Sequence, residues 1–326
     1  MWTNNKKRES DLADKVLVFS RFAKSMLARF AERFELLETG GKPVADVFTA
    51  DQLKDVRALL TMGGQPLGRE TLDVMPSLKA IICYGTGYDG VDLEATKQRN
   101  IVVANSPAAN ASAVADLALT LWLALERRLL PADAYLRSAG WAESRPSPML
   151  KAPRGITGTK VGVYGMGEIG KKIAARAAAF ETEVAYHSRS RHDVPHRYVG
   201  SLAELVDWCE VLLIAVRAGP DTENIIDAAM LQRLGPEGVV VNISRGSVID
   251  QPALIAALQD GIIAGAGLDV FEQEPYRPDA LSELPNVVLT PHIGGHTREA
   301  HVAMQDCVLG NLAAFFEGRA LPYRVS

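Results

Sequence analysis

Val161-Gly162-Val163-Tyr164-Gly165-Met166-Gly167-Glu168-Ile169-Gly170 is the stretch from which the rest of the chain can be read. An apolar, β-branched run from Lys160 to Tyr164 meets three glycines spaced G-x-G-x-x-G, and an Ala-rich segment of helical character, Ile169 to Phe180, follows. The order is strand, tight turn, helix. The first glycine allows the turn, the second lets the backbone approach a pyrophosphate, and the third lets helix and strand pack closely. The unpaired N–H groups of the helix start then point at the phosphates. In this context the glycines predict a dinucleotide-binding unit.

Downstream, strands are expected at Lys160–Tyr164, Glu183–His187, Val211–Ala215, Val239–Asn242, Ala264–Asp269 and Val287–Leu289, with helices between most of them. Six such strands match a doubly wound sheet. Upstream, Val16–Phe19 reads as a buried strand, and Phe22, Met26, Phe30 and Phe34 recur every four residues as one helix face. The alternation continues through Leu53–Leu60, Lys79–Cys83, a helix at Leu93–Gln98 and a strand at Ile101–Ala104. Asn105-Ser106-Pro107 breaks it, and a long buried helix from about Ala113 to Arg128 follows. The Pro-rich stretch from Trp141 to Gly158 reads as an excursion over the surface or onto a partner. Thr297 to Glu317 has helical periodicity and is expected to cross back onto the first domain. The fold class is therefore α/β, with two Rossmann-like or flavodoxin-like parallel-sheet domains. Residues 1–105 plus 298–326 form a discontinuous substrate domain and 106–297 the dinucleotide-binding domain, with a hinge and a cleft between them.

Composition agrees with a globular enzyme-sized chain: 326 residues, 48% hydrophobic and 23% charged. The net charge of −4 argues against nucleic acid as a partner. Cys83, Cys209 and Cys307 lie scattered in apolar contexts, so they read as buried thiols and not as metal ligands; no metal site is expected. The polar start, Met1 to Arg8, has no apolar segment of the secretory kind. The longest apolar run, Ala113 to Leu125, contains Asp116 and is shorter than the ~20 residues of a membrane span. A cytoplasmic protein is expected.

The residue that meets the adenosine ribose sits at the end of the second strand of such a unit. Here the sequence is Tyr186-His187-Ser188-Arg189-Ser190-Arg191, with no carboxylate. Hydroxyls and cations suit a 2′-phosphate, so NADP(H) is the preferred cofactor and NAD(H) the alternative. Three later pieces fall at strand ends, where ligands bind in doubly wound sheets: Val241-Asn242-Ile243-Ser244-Arg245-Gly246, Gly267-Leu268-Asp269-Val270-Phe271-Glu272-Gln273-Glu274-Pro275 and Leu289-Thr290-Pro291-His292-Ile293-Gly294-Gly295. Reduction of a 2-keto acid needs a cation, a proton donor and a hydride. Arg245, His292 and the nicotinamide would supply them, with Glu274 orienting the imidazole. Of the other histidines, His187, His192 and His196 lie in or beyond the cofactor loop, and His296 and His301 read as surface or packing residues.

Two further motifs complete the series: Cys83-Tyr84-Gly85-Thr86-Gly87-Tyr88-Asp89-Gly90-Val91-Asp92 and Val114-Ala115-Asp116. In this order the motifs resemble the D-isomer-specific 2-hydroxyacid dehydrogenase family over essentially the whole chain. The resemblance implies that Arg245 binds substrate, that Glu274 orients His292, and that His292 is the acid/base. It also implies that the N–H groups of Thr86 and Gly87 hold the substrate carboxylate from the opposite wall of the cleft. Cofactor positions carried over are Gly165, Met166, Gly167, Glu168, Ile169, Gly170, Ser188, Arg189, Ser190, Val216, Thr222, Ile243, Asp269 (on the nicotinamide carboxamide side) and Gly294. The Ser188-Arg189-Ser190 loop looks like that of the NADPH-preferring glyoxylate, hydroxypyruvate and phenylpyruvate reductases. Gly140-Trp141 resembles the piece of those enzymes that reaches the neighbouring subunit's substrate site in a homodimer; the alternative is that Trp141 merely packs. Ala111 replaces a frequent Thr, and Arg217 stands where a small or apolar residue is expected. The other readings are a corepressor-like module that binds the dinucleotide without turnover and an NAD-linked enzyme such as phosphoglycerate dehydrogenase, whose loop Asn110 resembles.

Overall fold

The computed structural model describes residues 14–147, 152, 154–278 and 280–325; Met1–Arg8 and part of the Trp141–Gly158 stretch lie outside them. The chain divides into two compact units, Met1–Asn110 with Arg298–Ser326, and Ala111–Thr297. The division falls a few residues past the Asn105 break because the 105–110 segment bonds back to the first unit. Asn105 Nδ2 donates to the Thr86 carbonyl at 2.7 Å, and Thr86 Oγ1 donates to Asn110 Oδ1 at 3.0 Å.

The first unit holds β1 (Lys15–Val18), β2 (Glu35–Glu38), β3 (Ala58–Thr61), β4 (Ala80–Cys83) and β5 (Val102–Ala104). All pair in parallel, in the order β2-β1-β3-β4-β5, the flavodoxin-like arrangement. β3 and β4 are buried along their whole length, as strands covered on both faces must be. The expected element Leu53–Leu60 is two elements. Thr49 caps a helical turn at Ala50–Leu53, and β3 begins at Ala58. The first helix is Lys24–Ala31, so Phe22 precedes it and Phe34 follows it. The helix Arg298–Phe316 packs against β4 and against Lys24–Ala31. The chain end then pairs with β5: Ala104 bridges Arg324, and Val325 N donates to the Val103 carbonyl at 2.7 Å.

The second unit holds β6 (Lys160–Tyr164), β7 (Glu183–His187), β8 (Arg197–Tyr198), β9 (Val211–Ile214), β10 (Val239–Asn242), β11 (Gly265–Leu268) and β12 (Val287–Leu289). The parallel order β12-β11-β10-β9-β6-β7-β8 contains the six expected strands and one more. β8 has two residues, too few for a periodic pattern. Residues alternate along the strands. Val161, Val163, Val211, Leu213, Val239 and Val241 pack beneath the helices Ala111–Glu126 and Glu168–Ala178, while Leu212, Ile214, Val240, Ala266 and Leu268 fill the opposite face. Helix Ala111–Glu126 starts and stops two residues before the expected Ala113 and Arg128, and Arg128 turns left-handed at φ 47°. It can lie close on β11 because that strand carries Gly265 and Gly267; a Cβ on Gly267 would meet Leu121 Cβ at 2.9 Å. Its end is held by Glu126, which accepts from Trp122 Nε1 and from Arg154.

Among the described residues no helix is long and apolar enough to cross a membrane, and no cluster of side chains could hold a metal ion. Cys83 and Cys209 are buried, and burial pushes both thiols up to about 12. Cys307 departs from the expectation and is only partly buried, because it sits on the half-covered face of its helix.

Candidate active site

The glycine turn lies between β6 and β9, where the strand order reverses, which is the ligand-binding point of a doubly wound sheet. Gly165 has φ +100°, and a Cβ there would stand 2.6 Å from the Ala215 carbonyl. A Cβ on Gly170 would stand 1.9 Å from the Gly165 carbonyl, so only glycine lets helix and turn meet. Gly167 is different: nothing lies within 4 Å of its would-be Cβ. It caps the helix Glu168–Ala178, whose first N–H groups have no intrahelical partner. Open space over a helix start, with backbone donors facing it, fits a pyrophosphate. Met166 is buried beneath the turn, and Glu168 is drawn to Lys171 at 3.0 Å on the surface. In the loop after β7, Ser188 Oγ donates to the Ser190 carbonyl at 2.6 Å, and Arg189 is exposed with no ion pair among the described residues.

Three strand ends carry Arg245, Glu274 and His292. After β10, the buried Asn242 shapes the turn that carries Arg245. Its Nδ2 donates to the Arg245 carbonyl at 2.8 Å, and its Oδ1 accepts from Ser244 N at 3.0 Å. Ser244 Oγ in turn donates to the Val216 carbonyl. Arg245 is half-buried and donates to the Ser244 carbonyl at 2.8 Å. Gly246 lets this turn close on the next one, since a Cβ there would lie 1.9 Å from the Phe271 carbonyl carbon.

After β11, Asp269 is 1% exposed. Its Oδ1 accepts from Thr290 Oγ1 at 2.7 Å and Ile293 N at 2.8 Å, its Oδ2 accepts from Gly294 N at 2.8 Å, and its carbonyl accepts from His292 N at 2.9 Å. Four hydrogen bonds from one residue fix the turn in which His292 takes φ +52°. Non-glycine residues rarely hold that conformation without such support.

His292 Nδ1 stands 2.6 Å from Glu274 Oε2, and Glu274 Oε1 accepts from Phe271 N at 3.1 Å. A carboxylate only accepts, so Nδ1 carries the hydrogen and Nε2 is the working corner of the ring. Burial alone would push the Glu274 carboxyl up. The hydrogen bond and charge of His292, the Phe271 N–H and the Arg245 charge outweigh it and hold the carboxyl below its ordinary 4.5. The result is a solvent-reaching imidazole backed by an anion, the arrangement of a proton donor.

Ile243 is buried behind the Arg245 turn, and Thr222 Oγ1 donates to the Gly219 carbonyl at 3.0 Å. Arg217 is exposed. In the first unit, Thr86 is clamped through Ser106, Asn110 and Asn105, while the N–H groups of Thr86 and Gly87 donate to no group among the described residues. Trp141 is 72% exposed. Asn242, Gly246 and Thr290 were not singled out by the sequence. The signal available was their place inside the two strand-end motifs, since each acts by shaping backbone beside Arg245 or His292.

Comparison with known proteins gives the same class. Residues 119–294 match the model of the D-isomer specific 2-hydroxyacid dehydrogenase NAD-binding domain. The chain is 38% identical over 291 residues to hydroxyphenylpyruvate reductase of Plectranthus scutellarioides, covering 89% of this chain and 92% of that one. It is 39% identical over 310 residues to glyoxylate reductase of Thermococcus litoralis, covering 92% of each. The crystal structure of NADPH-dependent glyoxylate/hydroxypyruvate reductase from Sinorhizobium meliloti, in complex with NADP and malonate, is 37% identical and covers 96% of both chains with a TM-score of 0.89. With its two parallel sheets, its glycine turn and its His292–Glu274 pair, the chain belongs to the D-isomer-specific 2-hydroxyacid dehydrogenase family.

Proposed function

We propose that the protein is an NADPH-dependent reductase of small 2-keto acids, of the glyoxylate or hydroxypyruvate kind, yielding the D-2-hydroxy acid. The observation that carries the reading is the 2.6 Å hydrogen bond between His292 and Glu274. It stands in the same unit as the open helix start at Gly167. Bound NADPH supplies the hydride that attacks the keto carbon. His292 Nε2 delivers a proton to the carbonyl oxygen as that oxygen gains charge, and Glu274 stabilises the imidazolium before transfer. Arg245 polarises the carbonyl and holds the carboxylate, a task its planar fork suits. The N–H groups of Thr86 and Gly87 are further donors proposed for that carboxylate, and Asp269 and Gly294 border the nicotinamide end. The relatives named for glyoxylate and hydroxyphenylpyruvate support the substrate class. The exposed Arg189, which has no ion pair among the described residues, and the strand end without a carboxylate support NADPH over NADH.

The test is the initial rate of nicotinamide absorbance loss with glyoxylate, hydroxypyruvate and phenylpyruvate, each with NADPH and NADH. Turnover of one acid with NADPH is expected. Cofactor binding without turnover of any acid would instead support the corepressor-like module.

The reading includes a homodimer, with Trp141 contributed to the second copy's substrate site. The helix Leu129–Arg137 buries none of its residues in the single chain, and Leu129, Leu130, Leu136 and Trp141 stand 51–72% exposed beside one another in sequence. An apolar helix face of this kind calls for a covering surface. Light scattering at micromolar concentration should give twice the chain mass, falling to one chain in Leu136→Glu. A wild-type monomer would end the dimer reading.

A further inference from the structure

We propose that His187 reads the adenosine ribose, its Nε2 accepting a hydrogen bond from a ribose hydroxyl of the bound dinucleotide; this rests on the dinucleotide reading above. His187 is the last residue of β7, and its carbonyl accepts from Gly165 N at 2.8 Å, which ties it to the first glycine of the turn. In a doubly wound sheet this strand end meets the ribose hydroxyls, ordinarily with a carboxylate.

The side chain is held in one orientation. Nδ1 lies 2.9 Å from the Val199 carbonyl, which can only accept, so Nδ1 carries the hydrogen. The ring is flanked by Tyr164, at 6.0 Å and 17° between planes, and by Tyr198, at 6.4 Å and 26°. Val199 directly follows β8, which lines the side of β7 away from β6. The two nitrogens point to roughly opposite sides of the ring, so Nε2 faces away from Val199.

Neutral Nε2 is an acceptor. It does for a hydroxyl what a carboxylate oxygen does, but without the negative charge that would repel a 2′-phosphate. His187 therefore reads a hydroxyl that both dinucleotides share, and Arg189, two positions on, reads the phosphate that only one carries.

The experiment is calorimetric measurement of Kd for NADPH and for NADH, on the full-length protein at one mildly alkaline pH. Two variants divide the ring between them. In His187→Asn the amide stands where Nδ1 was and keeps the Val199 contact, but nothing replaces Nε2. In His187→Gln the amide reaches the Nε2 position and the Val199 contact is lost. His187→Asn should weaken both dinucleotides by about fivefold, the ordinary worth of one hydrogen bond. His187→Gln should stay within about twofold of wild type. Thermal melting of each variant checks that it is folded. Any result in which His187→Gln binds no better than His187→Asn overturns the proposal, because the ring would then only brace β8. Weakening of NADPH alone in His187→Asn also overturns it, by placing His187 on the phosphate. A wild-type protein that binds neither dinucleotide removes the dinucleotide reading itself, and this proposal with it.

Discussion

Glu274 and His292 are hydrogen-bonded, and the Glu274 carboxyl is held below its ordinary 4.5. A group with a lowered pKa stays ionised as pH falls through its ordinary value, so the orienting anion persists across the neutral and mildly acidic range. In the proposed reduction, loss of that anion should therefore limit kcat/KM for the keto acid only below the ordinary carboxyl value. Glu274→Gln removes the anion behind the ring, so kcat/KM for the keto acid should fall by on the order of a hundredfold. A variant that keeps full activity would mean that Glu274 does not act on His292. The sequence puts Arg245, Glu274 and His292 at three strand ends as residue types that suit one chemistry, and the fold brings Glu274 within 2.6 Å of His292. Asn242 was not legible there. An amide at a strand end says nothing until the Arg245 carbonyl and the Ser244 N–H are known to lie 2.8 and 3.0 Å away. Asp269 was legible as an acid, but its work on the backbone of the His292 turn was not, since all four of the bonds it accepts come from residues 21 to 25 positions on.

At the scale of elements, the glycine turn separates two demands that the motif writes identically. Gly170→Ala puts a Cβ 1.9 Å from backbone, so it should lower the melting temperature and abolish NADPH binding together. Gly167→Ala meets no protein atom within 4 Å, so its melting temperature should stay close to wild type while NADPH affinity falls. Melting curves with and without NADPH distinguish the two, and a Gly167→Ala protein that binds NADPH normally would leave the pyrophosphate assignment without support. The strands that sequence made legible are those with long apolar runs, such as β9 and β10, which are buried along their full length. β2 reads Glu-Leu-Leu-Glu at a sheet edge and β8 is an Arg-Tyr pair, and neither carries a run long enough to announce itself. The split of Leu53–Leu60 has a similar cause. A capped helical turn and a buried strand abut there, and apolar residues alone do not mark the joint.

At the scale of the molecule, the second unit is one uninterrupted stretch, Ala111–Thr297, while the first is assembled from both parts of the chain that flank it. β1 to β5 leave the ribosome before the second unit, yet the helix that covers β4 and the segment that pairs with β5 are made after it. Asn311 shows how late the closure is. Its Nδ2 donates to the Asn105 carbonyl and its Oδ1 accepts from Tyr323 N, joining three distant points of the chain in one buried contact. During synthesis the leading sheet must therefore wait, partly uncovered, while the inserted unit forms. A nascent chain that stalls before Arg298 holds every residue of the second unit and lacks the cover of the first, so the half-made protein is vulnerable to aggregation and proteolysis at its beginning, not at its growing end.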